Sequence, residues 1–295
     1  MPTAKYFKHI RICSGFEPKL STRLIHLIHG LLFRFRKLHF VEMIVTTKCN
    51  LRCKNCSNLI PEIQHKAEEV PFESFKRDFD KLMANFDYIY CLQIHGGEPL
   101  LHSEIDQILA YALTYNRKIY LIKIVTNGTV MPSQKLLDVI SKQPVIIGAS
   151  SYKLNEMLRE KLRTICVLNH VFYMQFEEKK WYVFKKPKKT VYSTKELKHK
   201  FSKCPTNMYP SYKNGKMYLC SRLANLVTLR DDITDDGIEL SLSSKKGAIR
   251  FLQKDYSIHC KYCQIDENDF SEAADQRNCK KVCVFEAILK TGSEC

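Results

Sequence analysis

Three cysteines close together, Cys49, Cys53 and Cys56, are separated by three and then two residues in the run Cys49-Asn50-Leu51-Arg52-Cys53-Lys54-Asn55-Cys56. Iron–sulfur clusters take cysteine thiolates as ligands. Three on one loop can wrap three irons of a cubane and leave the fourth iron open. Zinc competes for thiolates, but a structural zinc site closes with four ligands. The nearest candidate after Cys56 is His65, so zinc is the weaker reading. Further on stands His95-Gly96-Gly97-Glu98-Pro99. Paired glycines let backbone approach a ligand closely, and a carboxylate beside them can accept hydrogen bonds from an ammonium. Alone this is a turn; after the cysteine loop it suggests a ligand site. His95 itself reads as a packed histidine, and Cys13, Cys91 and Cys166 as ordinary buried thiols.

From Cys204 onward lie seven of the thirteen cysteines. Cys204, Cys220 and the pair Cys260-Lys261-Tyr262-Cys263 can close around one metal or cluster with four thiolates, for which zinc would also be suited. Four ligands favour a structural or electron-transfer role. Cys279, Cys283 and Cys295 have the order of ligands to a further cluster, but their interval from Cys263 is long, and they read as residues of a terminal helix.

The elements that must position these groups alternate. Leu38 to Thr46 reads as a strand running into the cysteine loop. Phe72 to Phe86 has helical spacing behind Pro71. Tyr88 to Ile94 is a strand ending at the glycine turn. Ile105 to Tyr115 is a helix, Ile119 to Val125 a strand ending at Thr126-Asn127-Gly128, Pro132 to Ser141 a helix, and Val145 to Ala149 a strand ending at Ser150 and Ser151. This rhythm predicts parallel βα units with right-handed crossovers, and the polar motifs all fall at strand ends, where βα barrels place their chemistry. Ser193 to Glu196 is a capping box opening a helix to about Lys203, and Asn214-Gly215 marks a hairpin between Tyr212 and Leu219. Glu177 to Lys200, which holds the only tryptophan, Trp181, reads as a solvated lysine-rich face.

With 295 residues, 45% hydrophobic and 26% charged, the chain can build a large core and is not a disordered or fibrous one. A net charge of +16 favours an anionic partner. Met1 to Phe16 lacks the pattern of a secretory signal, so the cysteines read as metal ligands in a reducing cytoplasm rather than disulfides. Leu24 to Phe33 is too short to span a bilayer. It reads as a basic amphipathic helix packed on the domain, with contact to an anionic membrane surface as the alternative.

Cys49-x-x-x-Cys53-x-x-Cys56 followed by Gly96-Gly97-Glu98-Pro99 resembles the radical S-adenosylmethionine (SAM) superfamily over about Leu38 to Phe172. The later cysteines, with Asn214-Gly215 to Arg222 between them, resemble the twitch and SPASM extensions that hold auxiliary clusters. The resemblance implies a partial (β/α)6 TIM-like barrel over 38–203, preceded by a basic helical extension over 1–37. A small cysteine-rich twitch/SPASM-like domain follows over 204–295. It implies a 4Fe–4S cluster on Cys49, Cys53 and Cys56, and SAM held by Gly96, Gly97, Glu98 and Pro99 with Thr126, Asn127, Ser150 and Ser151 nearby. One auxiliary 4Fe–4S cluster would sit on Cys204, Cys220, Cys260 and Cys263, with two clusters as the alternative. Family members commonly carry an aromatic residue before the third cysteine; Asn55 stands there instead, which leaves adenine stacking unassigned at that position. Reductive cleavage of SAM would give a 5′-deoxyadenosyl radical that abstracts hydrogen from a carbohydrate or nucleotide-sugar substrate, leading to dehydrogenation, epimerisation or dehydration. A flavodoxin or ferredoxin would supply electrons. Modification of a ribosomal peptide or protein side chain is the rival reading, and a zinc-binding RNA-associated module a distant one; no nucleic-acid partner is expected.

Overall fold

The computed structural model describes residues 37–177, 180–207, 209–242 and 246–277. The predicted N-terminal helix, Cys13 and the three tail cysteines lie outside these residues.

Strand β1 (Lys37–Thr46) is followed by a four-residue helix, α1 (Ile60–Ile63), and by α2 (Phe72–Asn85), which Pro71 precedes. Then come β2 (Tyr88–Gly96), α3 (Ile105–Leu113), β3 (Ile119–Thr126), α4 (Gln134–Ile140), β4 (Val145–Ser150), α5 (Glu156–Leu168) and β5 (Phe172–Phe176). Strands β1 to β5 pair in sequence order, all parallel. Parallel neighbours need a crossover between them, and the helices provide it.

Side chains alternate along a strand, and the two faces have different fates. Val41, Met43 and Val45 of β1, Leu92 and Ile94 of β2, Ile122 and Ile124 of β3, and Val145 and Ile147 of β4 join the large core beneath the helices, with Phe75, Phe79 and Leu82 of α2. On the opposite face, Phe40, Cys91, Leu121 and Ile146 form a second apolar layer. Two residues further along the same strands stand Glu42, Gln93, Lys123 and Gly148, so the face turns polar towards the strand ends. Gln93 Nε2 donates to Glu42 Oε1 at 3.1 Å. The ring of Phe176 occupies the place a side chain at Gly148 would fill.

The consecutive βα run supplies five parallel strands, and the segment after Cys204 adds a sixth beside β1. The next strand, β6 (Lys180–Lys185), leaves the sheet and pairs antiparallel with β10 (Gln264–Glu272). Helix α6 (Thr194–Lys203) starts at the predicted capping box, with Ser193 Oγ accepting from Glu196 N and Ser193 N donating to Glu196 Oε2 at 2.7 Å. The predicted hairpin is β7 (Ser211–Lys213) and β8 (Lys216–Tyr218), turning on Asn214 and Gly215, both in the left-handed region. Strand β7 pairs parallel with β1, so the segment after Cys204 extends the same sheet. Helices α7 (Ser221–Leu229) and α8 (Lys246–Leu252) flank β9 (Ile238–Glu239). Among the described residues no helix is long and apolar enough to cross a membrane.

Candidate functional site

The cysteine loop leaves β1 at Thr46 and is tied at once to its neighbours. Gly97 N donates to Thr46 O at 2.9 Å and Glu98 N to Lys48 O at 2.8 Å, so the glycine turn after β2 lies along the start of the loop. A β-carbon on Gly97 would stand 2.1 Å from the Lys48 carbonyl oxygen and 3.0 Å from Cys49 Cβ; only glycine fits. Gly97 is also the one partly exposed residue of the Gly96–Pro99 turn.

Glu98 is fully buried, and its two carboxylate oxygens are met by backbone donors, Leu100 N at 3.0 Å and Asn127 N at 2.7 Å. It therefore ties the end of β2 to the end of β3. Burial pushes its carboxyl up to about 7, against the lowering effect of those hydrogen bonds and of Thr126. Asn127 reaches the other way: its Nδ2 donates to Asn50 Oδ1 at 2.9 Å and lies 3.9 Å from Cys49 Sγ. Asn155, unmarked in the sequence, closes the next gap by donating to Asn127 O at 2.6 Å and Ser150 O at 2.8 Å. Arg159 holds Asn155 in turn at 2.8 Å. Ser151 N donates to Phe176 O at 2.8 Å, and its hydroxyl is 3.5 Å from Gln175 Nε2.

Cys49, Cys53 and Cys56 lie close enough that charge on one raises the pKa of another, and burial drives all three thiols upward, Cys53 to about 12. They pack with Leu51, Tyr152, Leu154, Trp181 and Ala274. Trp181 thus lies at the cysteine loop, although its lysine-rich segment reads as solvated from sequence. Periodicity is silent there because β6 is placed by its partner β10, about 80 residues later. Asn55 carries no ring to this cluster; its Nδ2 donates to Ser271 Oγ at 2.9 Å. Donors face the sulfurs: Leu51 N is 3.4 Å from Cys49 Sγ and Gln276 Nε2 is 3.3 Å from Cys53 Sγ. Backbone N–H groups of Asn58 and Ile60 face Cys56, so three thiols on one loop, each met by N–H groups, are a donor set that fits a thiolate-ligated cluster. No group of three His, Cys, Asp or Glu side chains among the described residues is set for a single metal ion. None of the nine described cysteines is in a disulfide.

The second group also converges. Cys204 follows α6, Cys220 caps α7, and Cys260 and Cys263 come from a tight turn at Ile258–Tyr262. All four line one cavity with Arg222. Burial raises Cys220, Cys260 and Cys263, and the neighbouring sulfurs raise them further. Arg222 joins the two cysteine groups: it donates to Ser57 O at 3.1 Å and lines the cavity of the second group beside Cys263. Beside it, Asn58 accepts from Ser221 Oγ at 2.6 Å and meets His95 Nε2 at 2.6 Å, so His95 is held between the loop and the glycine turn. Residues such as Asn58 and Asn155 have no local sequence signal; only their partners reveal them.

Residues 43–166 match the family model described as the Radical SAM superfamily. Among curated proteins, GTP 3',8-cyclase of Aliarcobacter butzleri is 31% identical over 142 residues, 46% of this chain and 41% of that protein. GTP 3',8-cyclase of Helicobacter pylori is 30% identical over 94 residues, 32% of this chain and 28% of that protein. The S-adenosylmethionine-dependent nucleotide dehydratase of Selenomonas ruminantium is 30% identical over 97 residues, 33% of this chain and 32% of that protein. The chain thus spans less than half the length of each of these relatives. The solved structure of BtrN in complex with AdoMet and 2-DOIA aligns over 81% of this chain and 97% of that chain, at 14% identity and a TM-score of 0.43. The histidine-tagged anSMEcpe with bound AdoMet aligns over 86% and 96%, at 12% identity and a TM-score of 0.47. The family match falls on the parallel α/β run: residues 43–166 of this chain, most of β1 to α5, are similar to the Radical SAM superfamily.

Proposed function

We propose that the chain is a radical SAM enzyme whose 4Fe–4S cluster is ligated by Cys49, Cys53 and Cys56 and whose SAM lies along Gly96, Gly97, Glu98 and Pro99. The observation that carries this reading is the hydrogen-bonded seam between the cysteine loop and the glycine turn, with buried Glu98 joining the strand ends. When bound, the cluster and SAM together supply one-electron cleavage to a 5′-deoxyadenosyl radical. The residues position and shield. The Gly96–Gly97 backbone offers close approach to the methionyl end. Thr126, Asn127, Ser150 and Ser151 border it at the ends of β3 and β4, and Asn155 with Arg159 fixes their spacing.

We assign one auxiliary cluster to Cys204, Cys220, Cys260 and Cys263, in a twitch-like segment over 204–295 built onto the barrel of 38–203. Such a cluster could accept the electron that a substrate radical gives up as it is oxidised. We place the substrate among anionic nucleotide-linked or phosphorylated sugars. The relatives' names include a nucleotide cyclase and a nucleotide dehydratase, and Lys123 is buried on the polar inner face with its ammonium over the Phe40 and Phe176 rings. Lysines 195, 198 and 203 on α6, next to Cys204, suit an acidic electron carrier such as flavodoxin or ferredoxin. A reducing cytoplasm suits the free thiols.

Anaerobic reconstitution should load about eight irons per chain, and dithionite with SAM should yield 5′-deoxyadenosine. Cys53→Ala should lose about half of the iron and all of the product. Bound zinc without product would overturn the reading.

A further inference from the structure

The segment that follows β10 is bound edge to edge against the cysteine loop. Cys53 and Gln276 form an antiparallel bridge. Lys54 N donates to Asp275 O at 2.7 Å and Arg277 N to Arg52 O at 2.9 Å. Arg277 adds side-chain bonds to Lys54 O at 3.1 Å and to Glu62, and Lys54 pairs with Asp275 at 2.9 Å. Gln276 is half-buried inside this clamp. Its Oε1 accepts from Arg52 N at 2.7 Å, while its Nε2 donates to Ala274 O at 2.6 Å and lies 3.3 Å from Cys53 Sγ. The orientation of an amide is often ambiguous, but here it is fixed by chemistry. A backbone N–H can only donate and a carbonyl can only accept, so the side-chain nitrogen must face the sulfur.

We propose that Gln276 is a positioning residue for the SAM-binding cluster, its amide N–H donating to the Cys53 sulfur and easing reduction of the cluster by one electron. The proposal rests on the reading that Cys53 is a cluster ligand. Reduction adds one negative charge shared over irons and sulfurs, without a proton or bond change. An N–H dipole aimed at a ligand sulfur stabilises the more negative state, and hydrogen bonds to sulfur are among the determinants of cluster potential. Strand β10 begins directly after Cys263, so the same nine-residue strand leads from the second cysteine group to the clamp on the first. Nothing in the local sequence of Ala273 to Arg277 marks it as part of a cluster environment.

The test is a potentiometric titration of the reconstituted full chain with dithionite as electron donor, followed by electron paramagnetic resonance of the signal that changes on adding SAM. Gln276→Leu should lower the equilibrium constant for reduction about tenfold, a midpoint about 59 mV more negative for a one-electron couple. Gln276→Glu keeps the shape but has no N–H to donate, and should shift the midpoint in the same direction by at least as much. This second variant serves if the leucine variant fails to load iron. Arg277→Ala loosens the clamp and keeps the amide, so its shift should be under a third of that size. An unchanged midpoint in both Gln276 variants, or an equal shift in Arg277→Ala, would overturn the role of Gln276. A wild-type chain that loads no SAM-responsive cluster would instead overturn the assignment of Cys53.

Discussion

At Gly97 the absence of a side chain is what lets the glycine turn lie against the cysteine loop. Both the cysteine loop and the glycine turn are rigidly bonded where they meet, so neither can yield to a β-carbon placed 2.1 Å from the Lys48 oxygen. Gly97→Ala should therefore push the turn off the loop and weaken SAM binding about tenfold or more, equivalent to about 1.4 kcal/mol, as measured by equilibrium dialysis of the reconstituted protein. Unchanged affinity would show that the methionyl end lies elsewhere. The cysteines make a different point. Burial pushes the thiols of Cys53 and Cys260 up to about 12, so loading the proposed clusters should release protons. The types and spacing of the cysteines were legible in the sequence. The amides that face Cys49 and Cys53, from Leu51 and Gln276, were not, since one is backbone and the other lies 223 residues from Cys53 in the chain.

Among the elements, helix α6 shows how local sequence supports a distant site. Its capping box satisfies backbone donors at the first turn, and its last residue, Lys203, precedes Cys204. Ser193→Ala removes the acceptor for Glu196 N and should cost about 1 kcal/mol, read as a lower urea midpoint. Fraying of this helix should also reduce iron retained at Cys204. The capping box, the Asn214-Gly215 hairpin and the βα rhythm through β4 were all readable, because each is a local pattern of donors, turn residues or alternating burial. The fate of β6 was not. Its Trp181 and Phe184 suit a strand, but whether that strand joins β5 or β10 is a choice between partners, and the sequence of 180–185 carries no sign of it.

For the whole molecule, the buried Glu98 makes stability depend on pH. Its folded pKa, near 7, stands above the ordinary 4.5, so the folded chain holds this proton more tightly than the unfolded one. The resulting contribution is full below about pH 4.5 and is lost as pH rises through 7. In the metal-free protein, urea stability should fall by about 2 kcal/mol from this group between pH 5 and pH 8, and Glu98→Gln should remove that part of the slope. A slope unchanged by the substitution would mean that Glu98 is not held as described. By itself the sequence determined the chemistry on offer: three thiols at cluster spacing, a glycine turn, four more cysteines, and the alternation that lines up strand ends. These are consequences of residue type and short-range order. Only the tertiary structure decided which groups meet: β7 lying against β1, Arg222 joining the two cysteine groups, and Gln276 reaching Cys53. Contacts between residues far apart in the chain follow from how whole elements pack, and no local pattern around Cys49, Cys53 and Cys56 specifies them.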